Sequence, residues 1–139
     1  MVNSKLKKIG VISAIFVTLT IIFVCSYQVY QNVETVHNYI SPKMTSVMAI
    51  EKETDEWNKV KFDDQDSIKF DSVFWDKTII NDANSTGNAL MRVKDVKGVV
   101  IDEFQVSPGN SKQLSGLNKD QKYFFEIKAS KGQFIINAI

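Results

Sequence analysis

Hydrophobic positions along this chain follow two different rhythms. From Ile9 to Val33 no side chain is charged at neutral pH, and eleven of the sixteen residues from Ile9 to Val24 are Ile, Val, Leu or Phe. These are Ile9, Val11, Ile12, Ile15, Phe16, Val17, Leu19, Ile21, Ile22, Phe23 and Val24. At 1.5 Å per residue, Ile9 to Tyr27 makes a helix of roughly 28 Å, the thickness of a bilayer's hydrocarbon layer. Each large apolar side chain favours insertion by about 0.3–0.6 kcal/mol, and the hydroxyls of Ser13, Thr18 and Thr20 can bond back to the helix. The pattern predicts a transmembrane signal-anchor helix over 9–30, with membrane lipid as its partner and with Tyr27 and Tyr30 in an interfacial aromatic belt. Lys5, Lys7 and Lys8 precede it. Residues 1–8 are therefore expected as a cytoplasmic basic region, and everything after the span outside. Val33, Val36 or His37, and Ile40 continue a three-to-four-residue spacing, which predicts a helical stalk or linker over 31–56 that Pro42 ends or bends.

From about Trp57 the period becomes two, the mark of half-buried strands. Ile68, Phe70 and Phe74 share one face; so do Ala89, Met91 and Val93; Val100, Phe104 and Val106 line a third run, interrupted by Asp102. Tyr123, Phe125, Ile127 and Ala129 alternate without a break, and Gln133 to Ile139 is apolar on both faces, as a central or covered strand would be. Asp95-Val96-Lys97-Gly98 suits a short hairpin, Pro108-Gly109 the middle of a type II turn, and Ala129 to Gly132 another hairpin. The gap from Asp76 to Asn88 is expected as one long loop. Six or seven short strands in residues 57–139 predict an all-β antiparallel sandwich beyond the helix, immunoglobulin-like or jelly-roll-like in kind.

Gly116-Leu117 followed by Tyr123, Phe125, Ile127 and Ala129 resembles the E-to-F corner of fibronectin type III and related immunoglobulin-like domains. Those families set a leucine before the corner and a tyrosine at the start of the next strand, its hydroxyl bonded to backbone near the turn. The resemblance gives Leu117 and Tyr123 these two parts. It covers residues 116–129, and Lys119 stands where the families usually have proline. The same ending also resembles secreted bacterial β-sandwiches of the prepeptidase C-terminal type.

Charge and composition narrow the chemistry. Seventeen basic residues balance sixteen acidic ones, so no broad positive field marks a nucleic-acid binder. The one cysteine, Cys25, falls in the apolar run and excludes an intrachain disulfide. The one histidine, His37, falls in the stalk, so a histidine base inside the β domain and a zinc site of several Cys or His ligands are both excluded. Asp82, Asn84 and Thr86 alternate before Gly87 as calcium ligands do, yet Val93 stands where a calcium loop would close with a carboxylate, and a turn is the reading adopted. No glycine-rich phosphate loop is present and no carboxylate pair is singled out, so neither a cofactor nor an enzymatic activity is expected. Trp57 and Trp75 are candidates for core or for a contact surface.

The expected role is a non-enzymatic interaction module of a bacterial or phage cell envelope, held by a single-pass anchor and presenting its sandwich to another envelope protein or a wall polymer. A cleavage near Val24-Cys25-Ser26 would instead release it as a secreted domain. Two other roles fit the topology. One is a minor pseudopilin-like subunit of a filament, secretion or competence complex, which Lys8-Ile9-Gly10 and the tyrosines after the helix faintly resemble, although no glutamate lies between Lys8 and Val33. The other is an immunity or superinfection-exclusion protein.

Overall fold

The computed structural model describes residues 2–139, and the chain forms two units, Met1–Tyr39 and Ile40–Ile139. In the first, α1 (Val2–Asn32) takes in the basic start and the whole apolar run; Met1, the first residue of that start, lies outside the described residues. From Asn3 onward no residue of α1 is buried. Thr18 and Thr20 donate their hydroxyls to the carbonyls of Ala14 and Phe16, both at 2.9 Å, so these polar groups are satisfied within the helix. The helix is long and apolar enough to cross a membrane. A second helix, α2 (Glu34–Ile40), follows one residue later, and helical hydrogen bonding runs on through Val33, whose N–H donates to Val29 O while its carbonyl accepts from His37 N.

The second unit is all β. Its strands are β1 (Met44–Ile50), β2 (Asn58–Val60), β3 (Ile68–Lys69), β4 (Thr78–Asn81), β5 (Ala89–Lys94), β6 (Val100–Val106), β7 (Ser111–Gln113), β8 (Lys122–Lys128) and β9 (Gly132–Ala138). One sheet has the order β1-β9-β4-β7 and the other β2-β8-β5-β6, with β3 also on β8; every pairing is antiparallel. Four of these pairings nest in sequence: β5 with β6, β4 with β7, β2 and β3 with β8, and β1 with β9. Period-two alternation sends Ala89, Met91 and Val93 of β5 and Tyr123, Phe125 and Ile127 of β8 inward, where they meet Ile79, Phe134 and Ile136 from the first sheet in one core. Each such large side chain contributes about 1.5–3 kcal/mol when buried.

The turns follow their sequences. Gly98 (φ 79°) closes the β5–β6 hairpin by donating to Asp95 O, and Asp95 Oδ1 accepts from Lys97 N and Val99 N. At Pro108-Gly109 the Asn110 N–H bonds Ser107 O across a turn with Gly109 at φ 80°, as type II requires. Tyr123 is buried, its hydroxyl accepts a hydrogen bond from Asn118 N at 2.6 Å, and Leu117 packs on the core beside it.

Several expectations are corrected. The stalk does not extend over 31–56: helix ends at Ile40 and residues 44–50 are β1, paired along all seven residues with β9. The gap 76–88 contains β4, so residues 57–139 hold eight strands rather than six or seven, and β1 makes nine. Both strands escaped detection because each turns a polar residue inward, Ser46 in β1 and Asn81 in β4, while Val47 of β1 is 74% exposed. Phe74 does not share a buried face with Ile68 and Phe70; the chain leaves the sheet after Lys69 and turns at Ser72, whose Oγ accepts from Phe74 N, leaving Phe74 half exposed. Val100 is exposed because a bulge opposite Val93 and Lys94 inserts Ile101 into β6 and shifts the register. Residues 129–132 are no hairpin: they carry the chain from β8 in one sheet to β9 in the other. That crossing also departs from the immunoglobulin arrangement, in which the last two strands share a sheet.

Two close contacts outside the apolar core tie distant segments together. Asn81, wholly buried, donates through Nδ2 to Val106 O at 2.9 Å and Gly87 O at 3.0 Å, linking β4 to the end of β6. Gly132 lies against Thr86, whose Cβ would sit 2.6 Å from any Cβ added there, and Thr86 in turn exchanges hydrogen bonds with Gln133. Replacing Asn81 by Ala orphans two carbonyls and is expected to destabilise residues 40–139 by about 1–3 kcal/mol. Gly132→Ala forces a shift costing about 1–3 kcal/mol. Urea denaturation midpoints at unchanged slope check both.

Candidate functional site

The outward residues of β5 (Leu90, Arg92, Lys94) and β8 (Phe124, Glu126, Lys128) alternate with the core set, and the register sets Arg92 opposite Glu126. A row of outward side chains is ordinarily well exposed; here all six are half-buried, and Trp57 lies against Arg92 and Lys128 among them. The Arg92 guanidinium stacks 4.2 Å from the Trp57 ring centre and pairs with Glu126 through Nε, while Lys94 Nζ reaches the same carboxylate at 3.0 Å. Lys128 Nζ stands 5.6 Å from the Trp57 ring and 3.7 Å from Asp55. Trp57 is thereby pinned by two cations, each such contact worth about 0.5–2 kcal/mol.

Two open grooves flank this ladder. One, about 330 Å³, is bordered by Lys59, Asp66, Lys94, Val96, Phe124 and Glu126. The other, about 370 Å³, is bordered by Asp55, Asn88, Leu90, Gln105 and Lys128 among others. Both offer donors and acceptors beside an apolar side chain, an arrangement suited to holding a ligand.

Burial opposes ionisation of Glu126, but hydrogen bonds and charge from Arg92 and Lys94 outweigh it, and the carboxyl titrates below its ordinary value. Glu126 is thus held in its ionised form between two cations.

The other sequence candidates separate. Trp75 is half-buried and packs edge-to-face on Phe70 at 5.0 Å, on the core side. Asp82 Oδ1 accepts from Asn84 N and Nδ2, and Thr86 Oγ1 accepts from Gln133 N, so these oxygens serve the turn before β5 and its tie to β9. Among the described residues no cluster of three or more metal-ligating side chains forms. Tyr27 is exposed on α1, and Tyr30 lies 4.9 Å from the His37 ring. The Arg92–Glu126–Lys94 ladder escaped the sequence reading; its one signal was the only arginine of the chain, placed on the polar face of a cleanly alternating strand. Comparison with protein-family models, with curated proteins and with solved structures finds no match for this chain.

Glu126→Gln leaves Arg92 and Lys94 half-buried beside a neutral partner, with an expected loss of about 1–3 kcal/mol at neutral pH. The sign with pH follows from the lowered pKa. Between the ordinary glutamate range and the lower value in the folded protein, the unfolded chain binds more protons, so this stabilisation is complete above that window and disappears as pH falls through it. Denaturation midpoints of wild type and Glu126→Gln are therefore expected to differ at pH 7 and converge on acidification.

Proposed function

We propose that this protein is a membrane-anchored binding module of a bacterial-type cell envelope. In this reading α1 is a single-pass signal anchor, residues 1–8 remain cytoplasmic, and the β domain works outside the membrane, without catalysis, on another envelope protein or a wall polymer. The observation that carries it is a contrast within one chain. The second unit has a complete core of its own, whereas α1 exposes all eleven of its large apolar residues from Ile9 to Val24. Lipid is the solvent that relieves that exposure. Lys5, Lys7 and Lys8 before the span favour an inside start.

The two strand orders, with their nested pairings, are those of a jelly roll, a long antiparallel hairpin wound into two sheets. We assign the domain to that type. Binding is favoured over catalysis because the only cysteine and the only histidine lie in the helices, and because Glu126 is committed to two cations. The face carrying Trp57, Arg92 and the two grooves is the surface we assign to the partner.

Fractionation tests the anchor: the full chain is expected to resist alkaline extraction from membranes and to lose residues 42–139 to protease added outside. Pull-down from detergent-solubilised membranes, with and without residues 42–139, tests the binding role. Partners unchanged by the deletion refute it.

A further inference from the structure

We infer that two copies of this protein pair antiparallel through the free edge of β1. β1 ends its sheet, and β9 occupies only one of its sides. Thr45 fixes which main-chain groups face away: its N–H donates to Asp63 Oδ1 at 3.2 Å and its carbonyl accepts from Asp63 N at 2.9 Å. Strand alternation then turns the N–H and C=O of Val47 and Ala49 the same way. Among the described residues neither Val47 nor Ala49 has a partner there. A groove of about 420 Å³, bordered by Val47, Met48, Lys59, Lys61 and Asp63, runs beside this edge.

Sheet edges are ordinarily guarded by charge, proline or a bulge. Within β1 itself there is none of these: Met44-Thr45-Ser46-Val47-Met48-Ala49-Ile50 is uncharged, its pairing with β9 is regular throughout, and of the charged residues beside its edge only Asp63 bonds its backbone, at Thr45. The chemistry that satisfies two open rungs is another extended backbone. A second copy fits on two counts. Antiparallel pairing is two-fold symmetric, so the same rungs donate and accept on both sides. The flanks are also oppositely charged, Lys43 before the strand and Glu51 and Glu53 after it, so an antiparallel partner sets Lys43 against acidic residues at both ends. Confinement by α1, which rests on the anchoring reading above, raises the local concentration of the partner edge.

Asp63 selects the register. It already fills the rung at Thr45, so with pairing confined to β1 (Met44–Ile50) both open rungs are used only when Val47 faces Ala49 of the second copy. Met48 then faces Met48 of that copy as a non-hydrogen-bonded pair, with Cα atoms roughly 4.5 Å apart. That separation admits a disulfide.

The test uses full-length protein in membranes with Cys25 replaced by Ser. Under mild oxidation Met48→Cys is expected to give a covalent dimer, and Thr45→Cys, which faces Glu51 in this register, to stay monomeric. Adding Val47→Pro to Met48→Cys removes an outward N–H that the ladder with β9 does not use, so the cross-link is expected to fall at least tenfold. As a second route that leaves the fold untouched, a synthetic peptide of residues 43–51 is expected to suppress the cross-link, and its form N-methylated at Val47 and Ala49 to leave it unchanged. Cross-linking of Met48→Cys no greater than of Thr45→Cys, or suppression by both peptides alike, overturns the pairing. Alkaline extraction of the same samples reads the anchor separately. Protein retained in the membrane without the cross-link overturns the pairing alone; protein released yet cross-linked supports the pairing and overturns the anchoring reading.

Discussion

The pairing of β1 with β9 is the constraint on which the β domain depends, because it encloses all the others. The two strands are more than 80 residues apart in the chain, and joining them directly would carry the full cost of closing that loop. The nested order removes most of that cost. The β5–β6 connection is only the five residues 95–99, and each outer pair encloses a pair nearer to it in the chain, so its loop is short once that inner pair is in place. β9 lies between β1 and β4 with both edges paired; Phe134, Ile136 and Ala138 enter the core, while its other face carries Gln133, Ile135 and Asn137 and is not wholly apolar.

Polar groups then decide what apolar packing leaves open. A sandwich core accepts many volume-conserving exchanges, but a buried amide must meet particular carbonyls. Asn81 does this between the sheets, Thr86 and Ser85 tie the loop before β5 to β9, and Asp63 ties the turn after Phe62 to β1. Asp63 and Asp64 take positive φ in that turn, which aspartate tolerates better than branched residues do. The same logic governs the outer face of the second sheet. Arg92, Lys94 and Glu126 are half-buried there, and their mutual pairing makes such burial affordable while holding Trp57 in place.

The two units satisfy their backbone polar groups in two different ways. Within α1 the helical ladder bonds the interior backbone groups locally, and the hydroxyls of Thr18 and Thr20 bond back to it. In the β domain almost every bond is long-range, and the pattern of inward residues makes sense only once the pairings are known. The core of the β domain is built wholly from residues 44–138.

The residues alone determined what local periodicity records. An uncharged run of twenty-five positions made the helix evident, and the unbroken alternation of Tyr123 to Ala129 and of Ala89 to Val93 gave the phase of β8 and β5. Glycines at Gly98 and Gly109 marked their turns because few other residues take positive φ there. Only the tertiary structure decided the rest. β1 and β4 were hidden because Ser46 and Asn81 point inward, and their burial is acceptable only beside partners from distant strands. The bulge at Ile101, the crossing from β8 to β9, and the ladder of Arg92, Lys94 and Glu126 depend in the same way on register. Register is a relation between segments far apart in the chain, and a run of residues read by itself carries no record of which neighbour it will meet.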